Sequence, residues 1–334
     1  MSLQREYQPE EIKELENRTN EFHKALFEKT VDENIIVEIL SNTTNEERQI
    51  IRSIYKKTYK HPIQNDINSQ LTGKLREITI DMFDTPYEYD ARELNKVLSQ
   101  IGTDEDTIIE IFSTRPKNYL EIVDKAYKKF YKISLKDEIK NQFQKIFAEF
   151  LLTIMDYERP LEQSISGDEA YEIANDIIKN GYILYSSDVN LFKKVFVEKS
   201  REDLILISRA YYELEKKNLY DVFEEENIEQ KSLFDEKEEE KKVRNKNIKL
   251  IKGLLFGVIT PSEFFAKKCI NALTGFSTDI NTLSRILINR VEIDMFAIRD
   301  YYLKETKCEL SKEIENTCKD NGEIGTILYN LSIQ

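Results

Sequence analysis

The stretch "SQIGTDEDTIIEIF", residues 99–112, sets a glycine, a threonine and three consecutive acids against an apolar run of helical period. It admits two readings. Acids at the start of a helix suit the positive end of the helix dipole, and Thr103 with Asp106 has the spacing of a capping box. A glycine and clustered oxygens also suit a hard cation such as Ca²⁺. Whether the chain repeats the stretch decides its weight.

It does. With Asp104 as origin, equivalent aspartates stand at Asp32 in "TVDENIIVEIL", Asp188 in "SSDVNLFKKVF" and Asp279 in "STDINTLSRIL". Seven residues on lie Ile39, Ile111, Val195 and Ile286; eight on lie Leu40, Phe112, Phe196 and Leu287. Nineteen on come Ile51, Val123, Ile207 and Ile298, and at 23 a tyrosine each time: Tyr55, Tyr127, Tyr211 and Tyr302. This is a four-fold repeat with a period near 72 residues. The spacing predicts an N-terminal tail over 1–19, repeat I over 20–84, repeat II over 85–159, repeat III over 160–259 and repeat IV over 260–334.

Apolar spacing within each copy is helical. Ile108, Ile111 and Phe112 form one stripe, and Tyr119, Ile122, Val123, Ala126 and Tyr127 another. Ile139, Phe143, Ile146, Phe147 and Phe150 read as a third. Each copy offers about five helices, none able to bury its stripe alone, so stacked copies must share a core. Pro86, Pro160 and Pro261 mark joints where a proline opens a helix at little cost. Residues 227–247, "NIEQKSLFDEKEEEKKVRNKN", carry 12 charged residues in 21 and read as an insertion in repeat III, a solvated helix or mobile loop, with a partner-binding element as the sharper alternative.

Composition narrows the class to all-α. Only 9 glycines and 6 prolines in 334 residues leave too few turns for a sandwich or barrel. The net charge of −13 disfavours nucleic acid, and disfavours anionic lipid unless a cation bridges the two. Cys269, Cys308 and Cys318 lack pair spacing, which points to a reducing compartment. The start, "MSLQREYQPEEIKELENR", carries no apolar signal region, and no 18-residue apolar run occurs, so an intracellular, non-spanning chain is expected. His23 and His61 are the only histidines. Neither forms a zinc or catalytic spacing, and no nucleotide-binding loop is present, so no enzyme is expected.

"IGTDEDTIIEIFSTRPKNYLEIVDKAYKKFY" resembles the second repeat of an annexin, and "TGFSTDINTLSRILINRVEIDMFAIRDYY" the fourth. "NEERQIIRSIYKKTY" with "INSQLTGKLREI" resembles the first, while the third copy is weaker. Arg115 and Arg290 match the family's arginine after the second helix; Thr43 and Lys199 replace it in the other copies. Richness in lysine and asparagine, absence of tryptophan and the long insertions resemble a divergent protist branch such as the alpha-giardins.

The resemblance implies a four-repeat disc of five-helix repeats in right-handed superhelical arrangement. It also implies Ca²⁺ bound by loop carbonyls of a K-G-X-G-T motif plus a carboxylate about 40 residues downstream. No copy carries the full set. Repeat I has "FEKTVDE" and Gln70, which leaves no main site. Repeat II keeps Gly102 and Thr103 but has Gln142 in place of the carboxylate. Repeat III offers Gly181, Leu184 and Ser186 in a loop without the motif, with Glu226 40 residues beyond Ser186. Repeat IV offers Leu273, Gly275 and Ser277, with Thr317 at the downstream position and Asp320 three residues further. Glu105 and Glu33 match the family's accessory acids, and equally suit helix starts. Repeats III and IV are the favoured metal sites.

The implied function is calcium-dependent peripheral binding to anionic phospholipid with reduced calcium sites. A cytoskeleton-associated adaptor on the same scaffold is the alternative, and a helical solenoid of another family a third reading. Implied partners are an anionic membrane surface reached through calcium, a cytoskeletal protein, and further copies of the chain on the membrane, with no nucleic acid. The expected address is cytoplasmic, at a membrane or the cytoskeleton.

Overall fold

The repeated positions build the core. All sixteen residues at offsets 7, 8, 19 and 23 from the four aspartates are buried, from Ile39, Leu40, Ile51 and Tyr55 in the first copy to Ile286, Leu287, Ile298 and Tyr302 in the fourth. Full burial of one such side chain is worth about 1.5–3 kcal/mol. The repeat is therefore written in the interior, where packing constrains it most tightly.

The computed structural model describes residues 6–99, 105–220, 238–275 and 277–334. Helices form throughout, and no strand occurs among the described residues. The helix α1 (Pro9–Phe27) runs from the expected tail across the boundary at residue 20 into repeat I, which continues with α2 (Glu33–Ser41), α3 (Asn45–Tyr59), α4 (Ile63–Gln70) and α5 (Gly73–Phe83). Repeat II holds α6 (Pro86–Leu98), α7 (Glu105–Thr114), α8 (Lys117–Tyr131), α9 (Leu135–Gln142) and α10 (Lys145–Asp156). In repeat III, α11 (Gly167–Ser187), α12 (Val189–Phe192) with a π turn over Lys193–Val197, α13 (Arg201–Glu215) and α14 (Glu238–Ile259) are described. Repeat IV holds α15 (Pro261–Thr274), α16 (Ile280–Arg290), α17 (Met295–Thr306), α18 (Leu310–Cys318), a 3₁₀ turn over Lys319–Asn321, and α19 (Glu323–Ile333).

The chain divides into two compact units. One contains residues 1–86 and 262–334, hence repeats I and IV; the other contains 87–261, hence repeats II and III. In the first unit, Glu292 of repeat IV accepts from the Asn45 backbone N–H of repeat I at 2.6 Å. In the second, α14 lies against α7, and a Cβ at Gly253 would overlap the Ile109 side chain.

Three expectations need correction. The apolar stripe from Ile139 to Phe150 is two helices: Phe143 and Gln144 are extended, which ends α9 and starts α10. The charged run 227–247 is not wholly a solvated insertion. Its second half opens α14, where Arg244 and Asn247 are buried; residues 227–237 lie outside the described set. Of the three joint prolines, Pro86 and Pro261 open helices, whereas Pro160 sits in the irregular segment after α10.

That segment is fixed by Asp203, which is fully buried. Its carboxylate accepts from Ser164 N at 2.8 Å, Ser164 Oγ at 2.9 Å, Ile165 N at 3.1 Å and Ser200 N at 3.1 Å. Burial pushes the carboxyl up, but these bonds overcome it and hold the pKa at about 2, below the ordinary 3.8. A lowered carboxyl pKa stabilises the fold above the unfolded value and loses that contribution as pH falls through the folded one. Asp203→Asn should therefore lose about 2 kcal/mol at pH 7 and much less at pH 2, as denaturant titration at the two pH values will show.

The second helices end on buried guanidinium groups. In repeats II and IV these are the aligned arginines: Arg115 pairs with Asp90 at 2.8 Å, and Arg290 with Asp294 at 2.7 Å. Repeats I and III lack an arginine there, and another arrives from a different element. Arg48 on α3 donates to the carbonyls of Thr43, Leu40 and Met82. Arg159 donates to Lys199 O at 2.6 Å and Phe196 O at 2.8 Å. In both cases the guanidinium bonds the carbonyl of the residue that replaced the family's arginine.

Candidate functional site

The loop between the first two helices of a repeat is shaped by the origin aspartate. In repeat IV, Asp279 N–H donates back to Ala272 O of α15 at 2.8 Å, and its carboxylate accepts from Thr282 N at 3.0 Å. Repeat I does the same with Asp32, which donates to Ala25 O at 3.0 Å and accepts from Ile35 N at 3.3 Å. In repeat III Asp188 accepts from Asn190 N and Leu191 N. The N-cap is thus the aspartate itself in repeats III and IV, one residue later than the threonine of the Thr103–Asp106 capping-box reading would place it.

Repeat IV retains an exposed loop. Gly275 and Ser277 are exposed, while the Leu273 side chain is buried and anchors the loop to the core. Asp320 lies exposed in the 3₁₀ turn after α18, and Gly322 next to it adopts φ 55°. Glycine's freedom is spent at Gly322, beside the carboxylate, because Gly275 does not take positive φ. Thr317, at the downstream position, turns its hydroxyl to Glu313 O at 2.8 Å.

Repeat III departs from expectation. Residues 181–187 are helical up to one break at Gly181 (φ 73°), not an open loop. Ser186 is fully buried and its carbonyl accepts from Asn247 Nδ2 at 2.7 Å, so that oxygen is committed to α14. Asn247, which falls in the charged run 227–247, thus supplies a protein donor to a carbonyl that the resemblance assigns to a cation. The Leu184 side chain and Glu226 lie outside the described residues.

In repeat II, Gly102 and Thr103 also lie outside the described residues. Glu105 opens α7 and is held by Lys246 at 2.7 Å, an ion pair that offsets the charge an accessory cation would seek. Gln142 is exposed and donates to Glu138 at 2.9 Å.

Repeat I contains a pairing that sequence reading missed. Glu33, at the start of α2, is hydrogen-bonded to Glu323 at the start of α19, and burial followed by the Glu323 charge raises its pKa. Two carboxyls on one hydrogen bond must share a proton or a cation. Their separation in sequence gave no signal; only the meeting of repeats I and IV brings them together. Among the described residues, no group of three or more acid, histidine or cysteine side chains has metal-binding geometry, so any cation here must draw on backbone carbonyls.

A second feature escaped sequence reading although the signal was present. At offset 28 every copy has a lysine: Lys60, Lys132, Lys216 and Lys307. All four adopt left-handed backbone, φ 58–67°, immediately after the third helix, and among the described residues they are the only non-glycine residues with positive φ. Three of them fold the ammonium back on a carbonyl of that helix, Lys57 O at 2.8 Å, Lys129 O at 2.9 Å and Lys304 O at 2.6 Å.

A four-fold helical repeat with this loop closure defines a class of all-α repeat scaffold, and comparison with known proteins gives its family. The annexin family profile matches residues 19–82, 89–154 and 264–325. Rat annexin A1 is 31% identical over 301 residues, covering 90% of this chain and 82% of that protein. The chain belongs to the annexin family. The solved structure of annexin III superposes with a TM-score of 0.81 at 25% identity, covering 95% of this chain and 94% of that one. Calcium-bound alpha-14 giardin superposes with a TM-score of 0.71 at 13% identity over 96% and 99%, a likeness of fold. The all-α annexin fold is thus established. Annexins generally bind calcium and phospholipid without enzymatic activity, and no helix among the described residues is long and apolar enough to cross a membrane.

Proposed function

We propose that the protein attaches peripherally to anionic phospholipid through Ca²⁺, at fewer sites than a full annexin motif set would provide. The loop of repeat IV carries this reading. Its closure by Asp279 leaves exposed backbone at Gly275 and Ser277, and Leu273, Gly275, Ser277 and Asp320 are the ligands we assign. The metal would neutralise a surface of a chain with net charge −13 and take lipid phosphate oxygens in its open positions. The Ser186 carbonyl is bound to Asn247 and Glu105 to Lys246, so repeats III and II contribute less. The four-repeat boundaries and a self-associated state on the membrane belong to the same proposal. Co-sedimentation with phosphatidylserine vesicles tests it: pelleting in millimolar Ca²⁺ that EGTA abolishes is expected, and Asp320→Asn should raise the Ca²⁺ requirement several-fold. Equal pelleting in EGTA would sink the calcium mechanism.

The Glu33–Glu323 pair is assigned as an accessory cation site. A carboxyl pKa raised by burial and a like neighbour means that the ionised pair costs stability at neutral pH. Glu33→Gln should raise stability at pH 7 in EGTA by about 0.5–1 kcal/mol, with the gain vanishing as pH falls below 4.5. It should also shrink the calcium-induced rise in Tm. Thermal scans with and without calcium at two pH values read both effects.

One observation favours the cytoskeletal adaptor. Phe296 and Leu303 of α17 are 77% and 43% exposed along a groove of about 290 Å³ shared with Arg299 and Leu310, and Ile293, just before the helix, is 64% exposed. Vesicle binding unaffected by Phe296→Ser, with loss of a protein partner, would support that role.

A further inference from the structure

Both histidines of the chain converge on one carboxylate. His23 on α1 places Nδ1 2.7 Å from Tyr55 Oη, the Tyr55 hydroxyl donates to Asp66 Oδ2, and His61 Nε2 lies 2.8 Å from the same oxygen. The His23 ring stacks on Tyr59 with centroids 3.7 Å apart and leans on Phe27 at 4.7 Å. Asp66 is buried, His23 and Tyr59 are partly buried, and His61 reaches solvent with 39% of its side chain exposed.

Proton counting fixes the donors. The single Tyr55 proton goes to Asp66, so His23 must carry its proton on Nδ1 and donate to Tyr55 Oη. His61 must carry its proton on Nε2 to donate to Asp66. In this state the cluster holds one net negative charge, and each histidine has one nitrogen left to protonate: Nε2 of His23 and Nδ1 of His61. The first added proton forms an imidazolium–carboxylate pair. A second would place another imidazolium near a carboxylate already neutralised, 3.8 Å from His23 Nδ1.

We propose that His23, Tyr55, Asp66 and His61 form a proton-responsive clasp on repeat I, taking up two protons in order, His61 first to tighten it and His23 second to release α1 from α3 and α4. The groups facing His23 are Tyr55 and Tyr59 from α3, His61 from the α3–α4 turn and Asp66 from α4; the charges that act on it are those of Asp66 and His61. Burial, then His61, lower the His23 pKa against the pull of Asp66, while the Asp66 hydrogen bond raises that of His61. The signs then oppose. A raised histidine pKa adds stability that is full below the unfolded value and is lost as pH rises through the folded one. A lowered pKa adds stability that is present above the unfolded value and lost as pH falls through the folded one. The clasp is therefore tightest between the two midpoints and opens on the acid side.

The experiment uses the full chain. With two histidines, NMR titration of the imidazole Cε1–H signals gives two curves, assigned by His23→Phe and His61→Gln. The His61 midpoint should lie above 6.5 and that of His23 below it. His61→Gln should move the His23 midpoint upward, because the competing imidazolium is gone. Amide exchange of α1, corrected for intrinsic rate, should accelerate between pH 6.5 and 5 by up to about tenfold for each unit separating the folded and unfolded His23 midpoints. His23→Phe, which keeps a ring between Tyr59 and Phe27, should abolish the acceleration. An unmoved His23 midpoint in His61→Gln, or the same acid acceleration in His23→Phe, overturns the clasp.

Discussion

An Arg48→Leu variant should lose about 4 kcal/mol of unfolding free energy in the unit built from repeats I and IV. Arg48 is 2% exposed, and its guanidinium donates to Met82 O at 2.8 Å, to Leu40 O at 3.2 Å and to Thr43 O. These carbonyls end α2 and α5, where the helix itself provides no further donors. Leucine fills part of the space but leaves the acceptors buried without a partner, at about 1–3 kcal/mol each. Burial pushes the guanidinium pKa down to about 10, so the group stays charged at neutral pH and cannot escape the cost by deprotonating. Arg48→Lys keeps a charge but cannot fork to three carbonyls, and should recover less than half of the loss. Arg18 is the control: it donates to Asn42 O at 2.8 Å from an exposed position, and Arg18→Leu should cost under about 1 kcal/mol. Denaturant titration of the three variants separates the cases; similar midpoints for Arg48→Leu and Arg18→Leu would show that Arg48 is not the keystone of this junction.

Arg48 also marks how far the sequence could be read. Positions 7, 8, 19 and 23 of each copy were legible because a buried side chain repeats only if its surroundings repeat. The arginine at the end of the second helix is legible in repeats II and IV, and Thr43 and Lys199 stand in its place in I and III. What the fold demands there is a donor at a helix end, and any element within reach can supply it. Arg48 sits 5 residues beyond Thr43, whereas Arg159 lies 40 before Lys199, so no single offset reveals the function they share.

The candidate sites were less legible for the same reason. A coordination loop was inferred from glycines and acids, but whether an acid is available depends on its neighbours in space. Glu105 faces Lys246, Glu33 faces Glu323, and the Ser186 carbonyl faces Asn247. Each partner comes from a different helix and from 61 to 290 residues away along the chain. Of the two favoured loops, only that of repeat IV is exposed among the described residues, and the resemblance ranks it beside repeat III because motif residues alone carry no information on burial.

Replacing the four left-handed lysines by glycine should stabilise the protein by about 3 kcal/mol in total. A β-carbon at φ near +60° costs about 1–2 kcal/mol, and glycine removes that cost at the expense of some unfolded-state entropy, leaving a net gain of about 0.5–1 kcal/mol per site. The sites are equivalent in backbone but not in side chain. Lys60, Lys132 and Lys307 each return an ammonium to a carbonyl near the helix end, a favourable placement at the negative end of the dipole. Lys216 makes no such bond among the described residues, so Lys216→Gly should give the largest single gain. Lys60 and Lys307 lie in one unit, Lys132 and Lys216 in the other. The double variants should therefore each shift the unfolding of their own unit, and the quadruple variant both, with nearly additive free energies. A gain at Lys216 alone would mean that the ammonium–carbonyl bonds fully offset the strain at the other three. A loss at all four would mean that the lysines hold the turns by something other than backbone geometry, and the repeated residue at offset 28 would then have to be explained by what its ammonium binds.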